Sequence, residues 1–408
     1  MSEARTITRR GAFGAAAAAG LFRPALNRAQ TSSAPVRIGL LSDVAGPYRN
    51  VGGPGAKVAI ELAIEDFGGT LLGRPIEVIQ ADIQNKPDIA SARAREWIDE
   101  GFNLLADGGA TSSGLAVQEV CRGKQMVYLG NGPSATDFTG KFCSAYGFRF
   151  WGDTYSLSNG TVTALTKAGG ASWFFITADY QFGYSLQANA ERFVKAAGGK
   201  VVGDVKAPLG TADFSSALIA AKASGAKVVA FANAGTDLQN CIKQAAEFGI
   251  VKGGQSLATL LMFVTDVAAL GQDVCEGLVL SNSFYWDLTP KTRAWTARFV
   301  KRMDQPPTMN QAAEYFGAMH WMRSAQAANT LDGTAVAAKM HAMPLRDFFH
   351  DNVPVRANGQ VQDPTYVWRV KPAAKATHKW DFNEPVGTIA GADAYISVAE
   401  SGCTLSHS

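Results

Sequence analysis

The chain contains no run of about 18 uninterrupted apolar residues, so nothing in it reads as a membrane span. Charge is also modest, at 18% of residues against 47% hydrophobic, which is the balance of an ordinary globular protein, and a net charge near −1 once residues 1–30 are set aside implies no basic face for nucleic acid or an anionic membrane. Cysteines are few: Cys121, Cys143, Cys241, Cys275 and Cys403 form no CxxC pair and show no metal-ligand spacing, which argues against zinc. They read either as small buried thiols or as one or two disulfides with a thiol left over, and spacing does not assign the pairs. Histidine is absent from the first three quarters of the sequence. His320, His341, His350, His378 and His407 lie in no metal or nucleophile motif and read as core or surface residues.

Catalytic signatures are missing as well. The Gly-Lys pairs at 123–124 and 140–141 lack the frame of a phosphate-cradling P-loop, and no GxSxG elbow exists. "GNGPSA" (130–135) matches GxGxxA, but it follows the fourth strand-like run instead of the first, and Pro133 occupies its turn, which speaks against a dinucleotide site. No catalytic residue, metal or cofactor is therefore expected.

What is present begins with residues 1–30, where Arg9 and Arg10 precede an alanine-rich apolar stretch, followed by Arg23, Arg28 and small residues. This layout predicts an export signal, of twin-arginine type, although Phe13 falls one place later than that pattern prefers. Cleavage near Ala29 would remove five arginines and Glu3, turning a formal charge of +3 into −1.

With 408 residues, two lobes are expected. "VRIGLLS" (36–42), "PIEVIQAD" (75–82), "FNLLA" (102–106) and "QMVYLG" (125–130) are β-rich runs, each followed by a stretch of helical period. The alternation restarts with "ASWFFITA" (171–178), "KVVGDV" (200–205), "KVVAFAN" (227–233) and "SLATLLMF" (256–263). Such alternation predicts an α/β fold of parallel sheets flanked by helices. "FRFWGDTYSLSNG" (148–160) reads as a crossing between the two series. "RANGQVQDPTYVWRV" (356–370) reads as a hairpin turning at Asn-Gly, and the last forty residues as a poorly patterned wrap.

In open parallel sheets the ligand crevice lies at the carboxyl ends of strands, where "DGGATSSGLA" (107–116) is placed. Ser112 and Ser113 would stand at a helix start, where free N–H groups and the helix dipole favour an anion; capping that helix is the bland alternative. A second hydroxyl-bearing loop, "GNGPSATDFT", follows the next strand, and two neighbouring loops suit one carboxylate. Aromatics gather at strand ends and crossings, namely Tyr48, Trp151, Tyr155, Tyr180, Phe182, Phe263, Tyr285 and Trp286. They serve either to sandwich a ligand or as core.

Across residues 36–370 the chain resembles periplasmic solute-binding proteins of the branched-chain amino acid ABC transporter type (type I periplasmic binding proteins). The likeness rests on "IGLLSDVAGPYRNVGGPGAKVAIELAIEDFGG", "GRPIEVIQADIQNKPDIASARAREWID", "ADYQFGYSLQ" and "TADFSSALIAAKASGAKVVAFANAGTDLQNCIKQAAEFGI". It implies two Rossmann-like lobes joined by three crossings, assigned as 36–152 with 286–354 and 153–285 with 355–385, and a tail at 386–408. It also implies a small carboxylate ligand gripped between the lobes, with the permease and ATPase of an importer as partners. The matching ligand positions are Ser112 or Ser113, Gly132, Pro133 and Ser134 in the first lobe, and Phe182, Asn233 and Phe263 in the second; Tyr48, Tyr155 and Tyr180 complete the candidate wall. Amino-acid binders of this type place an acid near the end of the "LATLLMF" strand, whereas "LLMFVTDV" is apolar until Asp266. A buried ammonium without a partner costs several kcal/mol, roughly, so aromatic or other organic acids are favoured, with Asp153 left as the residue able to receive an amine. A periplasmic sensor domain and a hydrolase of organic acids are the rival readings.

Overall fold

The computed structural model describes residues 34–107 and 109–405; the expected export signal, Gly108 and His407 lie outside them. The first half alternates as read: β1 (Val36–Ser42), α1 (Gly53–Phe67), β2 (Thr70–Leu71), β3 (Arg74–Asp82), α2 (Pro87–Asp99), β4 (Leu104–Asp107), α3 (Thr111–Lys124), β5 (Tyr128–Gly130) and β6 (Gly147–Phe148). Their sheet has the order β2-β3-β1-β4-β5-β6, parallel except for β2. The central β1 is mostly apolar and, apart from half-buried Arg37, buried, because helices cover both faces. Close cover explains Gly39, where a Cβ would stand 2.4 Å from the Trp97 ring. α1 carries Pro54 in its first turn and stops at Gly68, whose φ of 104° lets its N–H turn back onto the Ile64 and Glu65 carbonyls.

The second series runs α4 (Thr154–Lys167), β7 (Ser172–Ala178), α5 (Gln181–Ala196), β8 (Lys200–Ala207), α6 (Ser215–Ala223), β9 (Val228–Ala232), α7 (Gly235–Glu247), β10 (Ser256–Thr259), α8 (Val264–Leu270), α9 (Gln272–Cys275) and β11 (Val279–Asn282). β10-β9-β7-β8 form a parallel sheet. β10 is four residues shorter than its apolar run, since Phe263 caps α8 instead and its N–H donates to Asp266 Oδ2 at 2.8 Å.

The chain then returns to the first lobe as α10 (Pro290–Met303), α11 (Met309–Ala328), α12 (Gly333–Ala342), β12 (Leu345–Arg346) and β13 (Asp351–Val353); α11 lies along α1, and its Gln311 donates to the Gly52 carbonyl at 3.0 Å. β14 (Thr365–Val370), β15 (Asn383–Ile389) and the short α13 (Gly391–Ala394) complete it. Two parallel sheets flanked by helices, joined by crossings near residues 149–153, 283–289 and 354–364, give the two-lobed α/β architecture that the resemblance implies.

Three local expectations change. Asn358-Gly359 does turn the chain, with Gly359 at φ 80° and its N–H on the Arg356 carbonyl, but the return is one bridge, Val355 to Val361. β14 pairs instead with β11 and β15, antiparallel to both. The last forty residues thus contain a full strand, one that runs past residue 385. Beyond it, Asn159 donates to the Asp393 carbonyl and Arg356 to that of Ile396, and a disulfide joins Cys403 to Cys143. Cys121, Cys241 and Cys275 are buried free thiols, their ionisation pushed up by burial.

Candidate functional site

The strand ends of both lobes face one another across a small, narrow cavity. Its wall comprises Tyr48, Val51, Gly109, Ala110, Thr111, Gly132 and Ser134 from the first lobe, Trp151 from the first crossing, and Tyr180, Phe182, Ala234 and Leu261 from the second lobe. None of these described residues is ionised at neutral pH, and most of the wall is apolar or aromatic.

Each element of the wall has a local cause. Asp43, fully buried after β1, accepts from the N–H groups of Gly46 (2.6 Å) and Tyr48 (2.7 Å) and from Asn85 Nδ2 (2.6 Å), which folds the loop that presents Tyr48. Asn85 in turn accepts from the Ala110 N–H at 2.9 Å, fixing the start of α3. Ala110 is the N-cap of that helix and offers no side chain to its first turn, so the helix forgoes about 1 kcal/mol of capping and keeps N–H groups at the cavity end. The second loop is stitched to the first, since the Ala135 N–H reaches Thr111 Oγ1 at 3.4 Å.

Contacts between the lobes surround the cavity. The Tyr48 and Tyr180 hydroxyls meet at 2.5 Å, and the Thr236 N–H donates to the Pro47 carbonyl at 3.2 Å. Gly235 permits that approach: its φ is 61°, and a Cβ there would stand 2.3 Å from the Pro47 oxygen. On the other side Thr136 Oγ1 lies 3.2 Å from Ser185 Oγ, and Gln181 donates to Asp137. Burial, followed by its partner Tyr180, holds the Tyr48 hydroxyl well above the ordinary phenol range, so it stays protonated.

Of the twelve candidates, Tyr48, Gly132, Ser134, Tyr180 and Phe182 line the cavity. Seven do not, for identifiable reasons. Ser113 is buried with its Oγ lacking a partner among the described residues, and Ser112 likewise lies off the wall; the hydroxyl that reaches it is Thr111, one turn position earlier. Pro133 directs its carbonyl away, to Arg149. Asp153 is spent as the N-cap of α4, accepting from Tyr155 and Ser156, and pairs with buried Arg149 at 3.3 Å. Burial raises its pKa, with Arg149 opposing, and it is not placed to receive a ligand amine. Tyr155 packs edge-on to Phe193 beneath Arg192. Asn233 is buried and donates to Cys241 Sγ, while Phe263 packs against Trp151. Asp266, the nearest acid beyond "LLMF", is consumed by Phe263 N–H and Gln239, and burial lifts its pKa to about 6.

Val51, Gly109, Ala110, Thr111, Ala234 and Leu261 complete the wall without having been candidates, together with Trp151, which was named among the gathered aromatics but not assigned to the wall. Thr111 and Trp151 carried a signal, as a loop hydroxyl and a crossing aromatic. The small apolar residues carried none.

Residues 35–377 match the family described as Periplasmic binding protein. A periplasmic binding protein from Burkholderia mallei is 40% identical and superposes with a TM-score of 0.88 over 91% of this chain and 99% of its own. A branched chain amino acid ABC transporter periplasmic ligand-binding protein from Burkholderia xenovorans LB400 is 32% identical, with a TM-score of 0.80 over 91% and 100%. A solute binding protein of an ABC transporter from R. palustris, in complex with benzoate, shares the fold at 20% identity, with a TM-score of 0.80 over 91% and 100%. The chain therefore belongs to the periplasmic binding protein family, in its branched-chain amino acid ABC transporter type.

Proposed function

We propose that the protein is the extracytoplasmic receptor of an ABC importer, a binding protein and not an enzyme, exported by the twin-arginine route to the periplasm. It captures a small carboxylate, aromatic or otherwise organic, and presents the closed form to the permease and ATPase. The lobes are residues 36–152 with 286–354, and 153–285 with 355–389, the last boundary following β15. The observation that carries this reading is the division of the cavity wall. One end offers the uncapped start of α3 and the Gly132–Ser134 loop, both suited to an anion, and the rest offers Trp151, Tyr180, Phe182, Val51 and Leu261 to an apolar body. No described wall residue is an acid that could neutralise an ammonium, and Asp153 and Asp266 are both engaged elsewhere. Ligand shifts the lobes to the closed form only through contacts it makes better there.

The test is a thermal-shift screen of the mature protein against benzoate, hydroxybenzoates, aliphatic keto acids and amino acids. A ligand at about 100 times its dissociation constant adds about 2.7 kcal/mol of stability. A response to amino acids alone would overturn the ammonium argument, and turnover of a bound ligand would overturn the non-enzymatic reading.

A further inference from the structure

Arg149 is fully buried at the first crossing and makes five polar contacts. Nη1 donates to the Pro133 carbonyl at 3.0 Å and to the Ala135 carbonyl at 2.8 Å; Nη2 donates to Thr139 Oγ1 at 2.8 Å and to Asp153 Oδ2 at 3.3 Å; Nε donates to Gln360 Oε1 at 2.8 Å. Gln360 belongs to the third crossing, whose backbone bridges directly to Arg149. The guanidinium is thus oriented from two crossings and grips the back of the loop whose front lines the cavity.

A trans peptide points its N–H opposite to its C=O. No peptide among the described residues is cis, so the Ser134 N–H is directed away from Arg149, on the side where Gly132 and Ser134 line the cavity. The next gripped peptide bears this out: the Ala135 carbonyl faces Arg149, and the Thr136 N–H opposite it donates outward to Thr154 Oγ1 (3.2 Å) and Ser185 Oγ (3.3 Å). Among the described residues nothing accepts from the Ser134 N–H.

We infer that Arg149 is a positioning residue for anion capture: by holding the Pro133 and Ala135 carbonyls behind the loop, it keeps the Ser134 N–H, and not a carbonyl oxygen, turned to the ligand carboxylate. Arginine suits the task because a planar fork reaches two carbonyls at fixed spacing, whereas lysine presents a point charge on a flexible stem. The inference rests on the carboxylate reading of the cavity.

The experiment compares the wild type with Arg149→Lys and with Thr139→Val, which removes one anchor of the guanidinium and leaves the buried ion pair. Benzoate and its neutral isostere benzamide are titrated calorimetrically, and amide hydrogen exchange is followed over the peptide covering 131–136. Arg149→Lys is expected to weaken benzoate about tenfold and benzamide less than about threefold, and Thr139→Val to shift the same ratio in the same direction by a smaller factor. Exchange over 131–136 should quicken in both variants. Equal loss of the two ligands would reveal a merely structural role and overturn the inference, as would an unchanged benzoate affinity. Should the wild type bind neither benzoate nor any other carboxylate, the proposed ligand class falls separately, and exchange decides: faster loop exchange upholds Arg149 as the loop's anchor, and unchanged exchange overturns it.

Discussion

The hydroxyl pair that spans the cleft makes a prediction with an internal asymmetry. Tyr48 is 6% exposed and Tyr180 somewhat more so, and their oxygens stand 2.5 Å apart only because the lobes meet there. Tyr180→Phe leaves the Tyr48 hydroxyl buried without a partner in the closed form, yet free to bond water in an open one. The penalty therefore falls on closure, at about 1–3 kcal/mol, equivalent to roughly 5- to 150-fold in ligand affinity. Tyr48→Phe strands the better-hydrated Tyr180 instead and should cost less. Removing both hydroxyls strands neither, so the double variant should bind more tightly than the sum of the single losses predicts, by about 1 kcal/mol or more. Isothermal titration with the ligand found by the thermal screen measures all four corners of the cycle. Small-angle scattering with and without that ligand reports whether the loss is in closure. Additive losses, or a larger effect from Tyr48→Phe, would refute the reasoning.

Two further predictions concern the frame of the protein. His350 is buried between Asp347 (2.8 Å) and Asp363 (2.9 Å); burial pushes its pKa down, but the two carboxylates outweigh it and raise the value to about 10 from an ordinary 6.5. A raised folded-state value means its contribution is complete below pH 6.5 and is lost as pH rises through about 10, at up to about 1.4 kcal/mol per pH unit. Urea denaturation over that window should show a fall in the wild type that His350→Gln lacks; parallel curves would sink the assignment. Cys403→Ser opens the Cys143–Cys403 link, which spans 260 residues, and should lower stability by about 2–4 kcal/mol in chemical denaturation. An unchanged midpoint would mean that the tail holds without it.

Fold legibility followed pattern strength. β1 and β7 are mostly apolar and almost wholly buried, and their expected limits come within a residue of those observed. The run ending at Phe263 is as apolar as either, yet half of it leaves the sheet, because an acid three residues into the following helix draws the backbone into a cap. β15 reads "NEPVGTI" and is mostly exposed, so no burial pattern marked it; its partner β14 supplies the reason it is a strand. The site was legible as two loops and less so as residues. Helix starts are shifted easily by one position, and the α3 start brings Thr111 to the wall where two serines were expected. Asp153 had the chemistry for an amine but was claimed by a helix cap and Arg149, neither of which sequence spacing reveals. Ala234 and Leu261 belong to the wall purely through tertiary placement.

The carboxy-terminal segment also alters the mechanics of the lobes. On the proposed lobe division β15 lies in the second lobe and Cys403 is welded to a loop of the first, so the covalent spans across the cleft number four and not three. Three spans that are all continuous with the lobe cores bend together, while the fourth is a tether with its own slack, set by the stretch from Ile389 to Cys403 and by its bonds to Asn159 and Arg356. In the proposed receptor, opening of the lobes would draw on that slack, so the aperture offered to an arriving ligand would be limited by the length of a leash, and the leash is fastened only where thiols are oxidised.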